Sequence, residues 1–549
     1  MDSGCSTPAC LPRLSVMKRR AGRRVWWFAA TAGATFAGGC MVGPDYQRPD
    51  AAVNDAWQGQ AGADQAAQDL NWWRQFNDPT LTALVESSLA QNLSLKTAGL
   101  RVLEARAARG IAVGRFFPQL QEAVGAVGAN QISANDARAA GDRSYSSAAV
   151  GLDAAWELDF WGKFRRGIEA ADAEVLLTVA DYDAVMTSLA SEVAAGYILV
   201  RSLEERLVYA RANVDLQAKT LELTRTRFKA GAVSELDVST ARATLANTQA
   251  LIPDFENLLK QAKLALCVLL SRPPSDLEAE LAPSAGLAKA IPIPPAQIAS
   301  GVPADLLRRR PDVRAAERLA AAQSARIGQA TADLYPSISI AGSTGFVSST
   351  YEGVSSPNLG NIFDADSFAG FIGLQVNWPI LNYGRIESAV RVQDARYEQA
   401  VADYQQSVVR AANEVEGGLS EFLRSQERAE FLAEAVDASK RSAELSLIQY
   451  RAGAVDFIRV NDAQTTLVTQ QDSFAVSRAA IALGAVRTYR ALGGGWESRR
   501  GNEFVDEATA ERMRKRTDWG DVLAPQWQDG KDLGFPRPEA DSESTGGEQ

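Results

Sequence analysis

Apolar and polar residues alternate singly in four stretches of the chain, and apolar residues recur at three- and four-residue steps along two much longer ones. In the first repeated pattern Ala148, Val150, Leu152, Ala154, Trp156 and Leu158 share one face, with Ser147, Gly151, Asp153 and Glu157 on the other. The device recurs with Ile338 and Ile340 against Ser337 and Ser339, and with Ile372, Leu374, Val376, Trp378 and Ile380 against Gln375 and Asn377. A period of two predicts β-strands with one apolar face. The strand expected after Pro118 is weaker, because Glu122 is read as interrupting its apolar face. Such strands fit a half-buried soluble sheet; at about ten residues, with aromatics at their ends, they also fit a membrane barrel. Four strands are too few to close a barrel, so the barrel reading requires several copies.

The long stretches are helical. From Phe164 to Lys229 there is no proline, and at about 1.5 Å per residue the helix reaches on the order of 100 Å. Along it Met186, Leu189, Val193, Gly196, Val200, Leu203, Leu207, Ala210, Val214, Leu221 and Phe228 follow coiled-coil spacing, interrupted by Gln217 and Thr224. A second helix carries Val408, Ala411, Val415, Gly418, Phe422, Ala429, Leu432, Val436 and Tyr450 at matching places. The small residues Gly196 and Gly418 imply close packing. Gly231 and Gly453 suit the left-handed residue that ends each helix, and Ser234 or Asp456 can cap a return helix. The returns end near Leu270 and Leu492, and Pro253 is expected to kink or break the first. Upstream, Asp78-Pro79 starts a helix running toward Arg115, which Phe117-Pro118 ends.

These elements form one unit used twice. Trp156-Glu-Leu-Asp-Phe-Trp-Gly162-Lys163 matches Trp378-Pro-Ile-Leu-Asn-Tyr-Gly384-Arg385, and Arg227-Phe-Lys-Ala-Gly-Ala-Val233 matches Gln449-Tyr-Arg-Ala-Gly-Ala-Val455, both at an offset of 222. Phe116-Phe117-Pro118 matches Leu334-Tyr335-Pro336 at an offset of 218, so length varies only in the strands and loops between. The division that follows is 78–271 for the first repeat, 272–302 for a proline-rich linker, 303–496 for the second repeat, and 497–549 for a polar, acidic tail expected to be disordered.

The amino terminus reads as an address. Lys18, Arg19, Arg20, Arg23 and Arg24 precede an apolar stretch from Val25 to Ala37, too short to span a bilayer, and small residues then lead to Cys40. Residues 1–39 are therefore expected to be a signal peptide, with Met17 as a second candidate start, and 40–77 a lipidated N-terminal segment. Ordinary cleavage near the same place is the alternative. Three fatty acyl chains, each CH₂ contributing about 0.8 kcal/mol, would anchor Cys40 firmly in outer-membrane lipid. Removing the basic segment takes the formal charge from -10 to -15, since it holds six Lys/Arg against Asp2, and that acidity argues against nucleic acid. The chain has no histidine, and no GxSxG, HExxH or GK[ST] phosphate loop is found, so no enzyme activity, metal or cofactor is called for. No apolar run is long enough for a membrane helix. Cys267 lies in an apolar helical run and reads as core.

Taken jointly, Ala37-Gly38-Gly39-Cys40, Gly43-Pro-Asp-Tyr-Gln-Arg-Pro49, Trp72-Trp73-Arg74-Gln75-Phe76, Leu306-Leu307-Arg308-Arg309-Arg310-Pro311-Asp312-Val313, the twin tips and Tyr489-Arg-Ala-Leu-Gly-Gly-Gly-Trp496 resemble the TolC-like outer-membrane factors, particularly the NodT-type efflux lipoproteins. The resemblance implies an α+β membrane protein: a homotrimer whose twelve-stranded outer-membrane β-barrel, four strands per chain, continues into a long α-helical coiled-coil barrel across the periplasm. It implies a channel through which a tripartite pump expels small molecules, with a periplasmic membrane-fusion adaptor and an inner-membrane pump of the resistance-nodulation-division class as partners. The linker would belong to an equatorial belt.

Carried over residue by residue, the resemblance places an apolar ring at Ile458 and an acidic ring at Asp462, a periplasmic gate in which three carboxylates repel and attract cations. The alternative is a solvated acid near a helix N-terminus. Where some relatives place an acid three positions earlier this chain has Arg459, a candidate for ion pairs with Asp456 or Asp462 that hold the tip shut. Lys229, Gly231 and Val233, with Arg451, Gly453 and Val455, are the candidate adaptor contacts; otherwise they are tight turns. Type I protein secretion uses the same architecture and remains a rival. A periplasmic coiled-coil adaptor without a pore is a rival of another class, against which the four matched strands speak.

Overall fold

The computed structural model describes residues 41–54, 57, 71–135, 143–282, 290–298, 309–351, 358–499 and 503–523. The signal-peptide and Cys40 assignments lie outside the described residues. The elements are α1 (Pro79–Gln91), α2 (Leu93–Gly114), β1 (Leu120–Gln131), β2 (Ser144–Leu158), α3 (Lys163–Lys229), α4 (Glu235–Leu269), α5 (Pro311–Ala332), β3 (Ser337–Ser349), β4 (Phe368–Asn377), α6 (Arg385–Arg451), α7 (Phe457–Ala491) and α8 (Glu507–Arg516). They fall into two compact units, one holding 118–165 and 331–382, the other built from 44–117, 166–330 and 383–549.

The first unit is a four-stranded antiparallel sheet in the order β1-β2-β3-β4. Its central pair joins the two repeats, with Trp156 opposite Ile340 and Leu158 opposite Ile338. The same face takes Ile338 opposite Val376 and Ile340 opposite Leu374. Leu152, Ile372, Leu374 and Val376 on it are 60–81% exposed. A continuous apolar face of this kind is costly in water and suits lipid. The register also corrects the reading of β1. Ala123 lies opposite Leu152 and Val127 opposite Ala148, so the lipid-suited face of β1 is its odd-numbered set. Glu122 faces Asp153 on the polar side and interrupts nothing.

The second unit is helical, and the duplication is kept to the residue. Both long helices, α3 and α6, have 67 residues, about 100 Å, and both returns, α4 and α7, have 35. Gly196 and Gly418 permit the close approach expected of them: a Cβ at Gly196 would stand 2.8 Å from Leu266 Cδ2, and one at Gly418 2.9 Å from Thr488 Oγ1. The helix carrying Pro253 runs unbroken from Glu235 to Leu269. One window of α3 is apolar enough to cross a membrane by composition, at mean hydropathy 1.3, but 61% of it is buried, so its apolarity is used in packing.

The motif Trp72–Phe76 forms a 3-10 helix at the centre of the largest hydrophobic cluster, where Trp72 stacks on Tyr489 at 5.4 Å. Asp78 caps α1 as expected, accepting from Thr80 N (2.8 Å) and Leu81 N (3.0 Å), and also from the Tyr197 hydroxyl (2.8 Å). The helix toward Arg115 is two helices, not one. Asn92 caps α2 through Leu95 N (2.9 Å) while donating to Leu269 O (2.8 Å), and that extended residue ends α1. In the linker Leu277, Leu281, Ile291 and Ile298 are buried in the same cluster.

The tail departs from the expectation of disorder over its described part. Trp496–Arg499 is a 3-10 helix and α8 follows, with Leu103, Ala510, Met513 and Leu523 forming an apolar cluster. Arg499 donates from Nε to the fully buried Asp183 of α3 (2.7 Å), and Arg314 approaches the same carboxylate at 3.5 Å. Composition alone weighed the charges of 497–523 without their partners. Residues 524–549 lie outside the described residues.

Candidate functional site: the twin hairpin tips

The two helical hairpins end in the same turn. In the first, Ala230 N donates to Thr226 O (3.1 Å), Gly231 N to Phe228 O (2.9 Å) and Ala232 N to Arg227 O (2.9 Å). In the second, Ala452 N donates to Ile448 O (3.1 Å), Gly453 N to Tyr450 O (3.0 Å) and Ala454 N to Gln449 O (2.9 Å), each donor and acceptor at the matching place of its repeat. Gly231 (φ 72°) and Gly453 (φ 76°) hold the left-handed position that a side chain would strain. The starts of the return helices differ. Ser234 forms a capping box with Asp237, whereas Asp456 holds the N-cap position without a side-chain cap bond.

Beneath the turns Leu221, Ala241, Tyr450, Phe457 and Val460 form one cluster, so the two tips share a core. Val233 and Val455 lean into it and are half-buried, while Lys229, Gly231, Arg451 and Gly453 are exposed. Arg227 donates to the Tyr450 carbonyl and sets its guanidinium 4.6 Å from the Tyr450 ring centroid.

Ile458, Arg459 and Asp462 lie in the first turns of α7, all exposed, with Ile458 at 53%. Among the described residues no ion pair joins Arg459 to Asp456 or Asp462. Leu236 occupies the place in the first hairpin that Ile458 holds in the second, and it is 73% exposed. The constant offset between the repeats points to it, although the motif reading passed it over. The places equivalent to Asp462 and Arg459 hold Thr240 and Asp237, so only the second hairpin carries an exposed acid at that step.

A polar seam joins the hairpins behind the tips. Going toward the tip, Arg478 Nη1 meets Glu205 (2.9 Å), Arg206 holds Asp472 (2.6 and 3.2 Å), Asn213 donates to Gln471 (2.7 Å), and Gln464 donates to Thr220 (2.8 Å). Thr244 and Asn461 add a bond between α4 and α7. Burial, with the Glu205 carboxylate next, raises the Tyr209 phenol above its ordinary range. Gln217 and Thr224, which interrupt the apolar stripe, are buried in α3 on this stretch, and neither amide atom of Gln217 finds a partner among the described residues. A seam of hydrogen bonds and ion pairs exchanges its partners for water at small net cost, whereas an apolar seam resists separation. The hairpins are thus joined by an apolar cluster at the tips and by polar contacts behind them.

Comparison with known proteins agrees with this architecture. The outer membrane efflux protein family model matches residues 84–272 and 302–494, one stretch in each repeat. The chain is 30% identical over 477 residues to the probable efflux pump outer membrane protein TtgC of Pseudomonas putida, covering 85% of this chain and 95% of that one. It is 29% identical over 439 residues to nodulation protein T of Rhizobium leguminosarum bv. trifolii, covering 80% and 90%. Among solved structures the outer-membrane channel OprN superposes with a TM-score of 0.76 at 33% identity, over 83% of this chain and 100% of that one. A sheet with one lipid-suited face, helices of about 100 Å and these relatives agree: the chain belongs to the outer membrane efflux protein family and is the outer-membrane channel component of an efflux pump, with its helical part in the periplasm.

Proposed function

We propose that three copies of the chain close one twelve-stranded barrel and one helical tunnel, that Cys40 carries the lipid anchor, and that the hairpin tips form a gate opened by a periplasmic adaptor bound to a resistance-nodulation-division pump. The observation that carries this reading is the sheet: one face apolar and exposed, three carboxylates (Glu122, Asp153, Glu157) on the other, and both edge strands open to pairing. Lipidation is supported by the basic, apolar and small-residue sequence that leads to Cys40; the residues after it are held at the base of the sheet, Met41 against Gly162 and Val42 N donating to Trp161 O.

At the tip, Asp462 brings three carboxylates together at the axis and Ile458 sets an apolar constriction one turn away. Lys229, Gly231, Arg451 and Gly453 are the exposed surface an adaptor meets, and Val233 and Val455 set the turns' seating. Arg459 acts between copies, where it can pair with Asp462 of a neighbour. Opening moves the second hairpin against the first along the polar seam. The test is planar-bilayer conductance of detergent-purified protein, wild type beside Asp462→Ala, at several salt concentrations. Small wild-type currents that rise in the variant are expected, most at low salt, where screening is weakest. Equal currents would remove Asp462 from the gate and leave the channel standing.

A further inference from the structure

The two repeats differ where their strands give way to their long helices. In the first, Trp161 stacks on Tyr335 with ring centroids 4.6 Å apart and planes at 24°, and its Nε1 donates to Pro336 O at 2.8 Å. Tyr335 and Pro336 lead into β3, which belongs to the second repeat. The residue equivalent to Trp161 in the second repeat is Tyr383, and it is 96% exposed. The residues equivalent to Tyr335 and Pro336 in the first are Phe117 and Pro118, and Phe117 is 53% exposed.

The Trp161–Tyr335 stack therefore closes a junction between the second strand of one repeat and the first strand of the next. The chain holds one such junction, β2 with β3, and half of another at each edge of its sheet. The half that follows β4 is Tyr383; the half that precedes β1 is Phe117. The same rule can be applied a second time only between chains, head to tail, which is the contact that closes a ring of identical copies.

We propose that Tyr383 of one copy stacks on Phe117 of the next, closing between chains the aromatic corner that Trp161 and Tyr335 close within one. The inference rests on the homotrimer reading above and names the side chains that meet. A phenol keeps the stacking but not the indole's hydrogen bond, because its hydroxyl sits at the far end of the ring rather than on the near edge. Phenylalanine should therefore serve at 383 as well as tyrosine.

The test uses the full-length protein in detergent, with light scattering to count copies. Phe117→Cys combined with Tyr383→Cys is treated with a short bis-maleimide beside each single variant. An adduct between copies in the pair, absent from both singles, is expected. In parallel, Tyr383→Ala should lower the temperature at which the trimer dissociates in SDS, and Tyr383→Phe should restore it. A trimer that gives no adduct and dissociates alike with Ala and Tyr at 383 would overturn the contact while leaving the homotrimer. Monomeric wild-type protein would overturn both.

Discussion

Gly417 and Gly418 are neighbours with opposite constraints. A Cβ at Gly418 would press on Thr488 Oγ1 at 2.9 Å, whereas nothing lies within 4 Å of one at Gly417. Gly418→Val should cost about 1–3 kcal/mol through overpacking. Gly417→Ala should be neutral or stabilise by up to about 1 kcal/mol, the helix-propensity difference. Thermal unfolding of the two variants checks the contrast. Arg499 is the second residue-scale case: it is 6% exposed and its carboxylate partner Asp183 is 0% exposed. Arg499→Ala removes the nearer of these two cations, at 2.7 Å against 3.5 Å for Arg314, and a loss of about 1.5–3 kcal/mol is expected, read as a lower unfolding midpoint. At this scale the sequence was partly legible. Asp78 and the tip glycines announced themselves through turn chemistry, while Gln217 and Thr224 looked like faults in an apolar stripe; they flank Thr220, whose hydroxyl accepts from Gln464 of α7, a partner far along the chain.

Among the elements, lengths and order were the most legible part, since an offset that stays constant from Trp156 to Val233 leaves no room for error in a helix. What failed did so where one residue's partner decides the outcome. Asn92 splits a helix that periodicity runs through, because its side chain is held by Leu269 O. The face of β1 was misassigned because alternating Ala and Gly carry too little hydrophobic contrast; only pairing with β2 settles it. Asn92→Ala should cost about 1 kcal/mol for the lost cap, checked by thermal unfolding. The attachment of α8 should depend on acid. The hydrogen bond and charge of Lys96, with Thr509, hold the Asp506 carboxyl below the ordinary range. A depressed folded-state pKa contributes stability that is full above the unfolded value, about 3.9, and fades as pH falls through the folded one. The protection of the α8 amides, taken relative to their intrinsic exchange rate at each pH, should therefore be constant from pH 7 to about 5 and fall only below about 4.

For the whole molecule, the candidate site was legible as a place before it was legible as a mechanism. The twin tips could be found from two copies of Ala-Gly-Ala-Val, but the seam from Glu205 to Thr220 pairs residues scattered over two helices and has no local pattern. If that seam parts on opening, a disulfide across it should hold the tips shut. With Asn213→Cys and Gln471→Cys introduced into Asp462→Ala, bilayer conductance should stay low when oxidised and rise on reduction. Conductance indifferent to the redox state would mean that opening does not separate α3 from α7 at this level.

The contact of Asp183 with Arg499 has a further consequence, for the order in which the protein can take shape. A chain exported amino end first delivers Asp183 to the periplasm 316 residues ahead of Arg499, and Trp72 further still ahead of the Tyr489 it stacks on. The first repeat, though a complete copy of the motif, packs its largest apolar cluster with Phe422, Ala482, Ala485, Val486 and Tyr489 of the second, and Asp183 meets Arg499 only once the segment after that repeat has arrived. Duplication here has not produced two independent folding units: the first repeat shares its largest apolar cluster with the second, and a first repeat standing alone would keep that surface open, the condition in which chains aggregate.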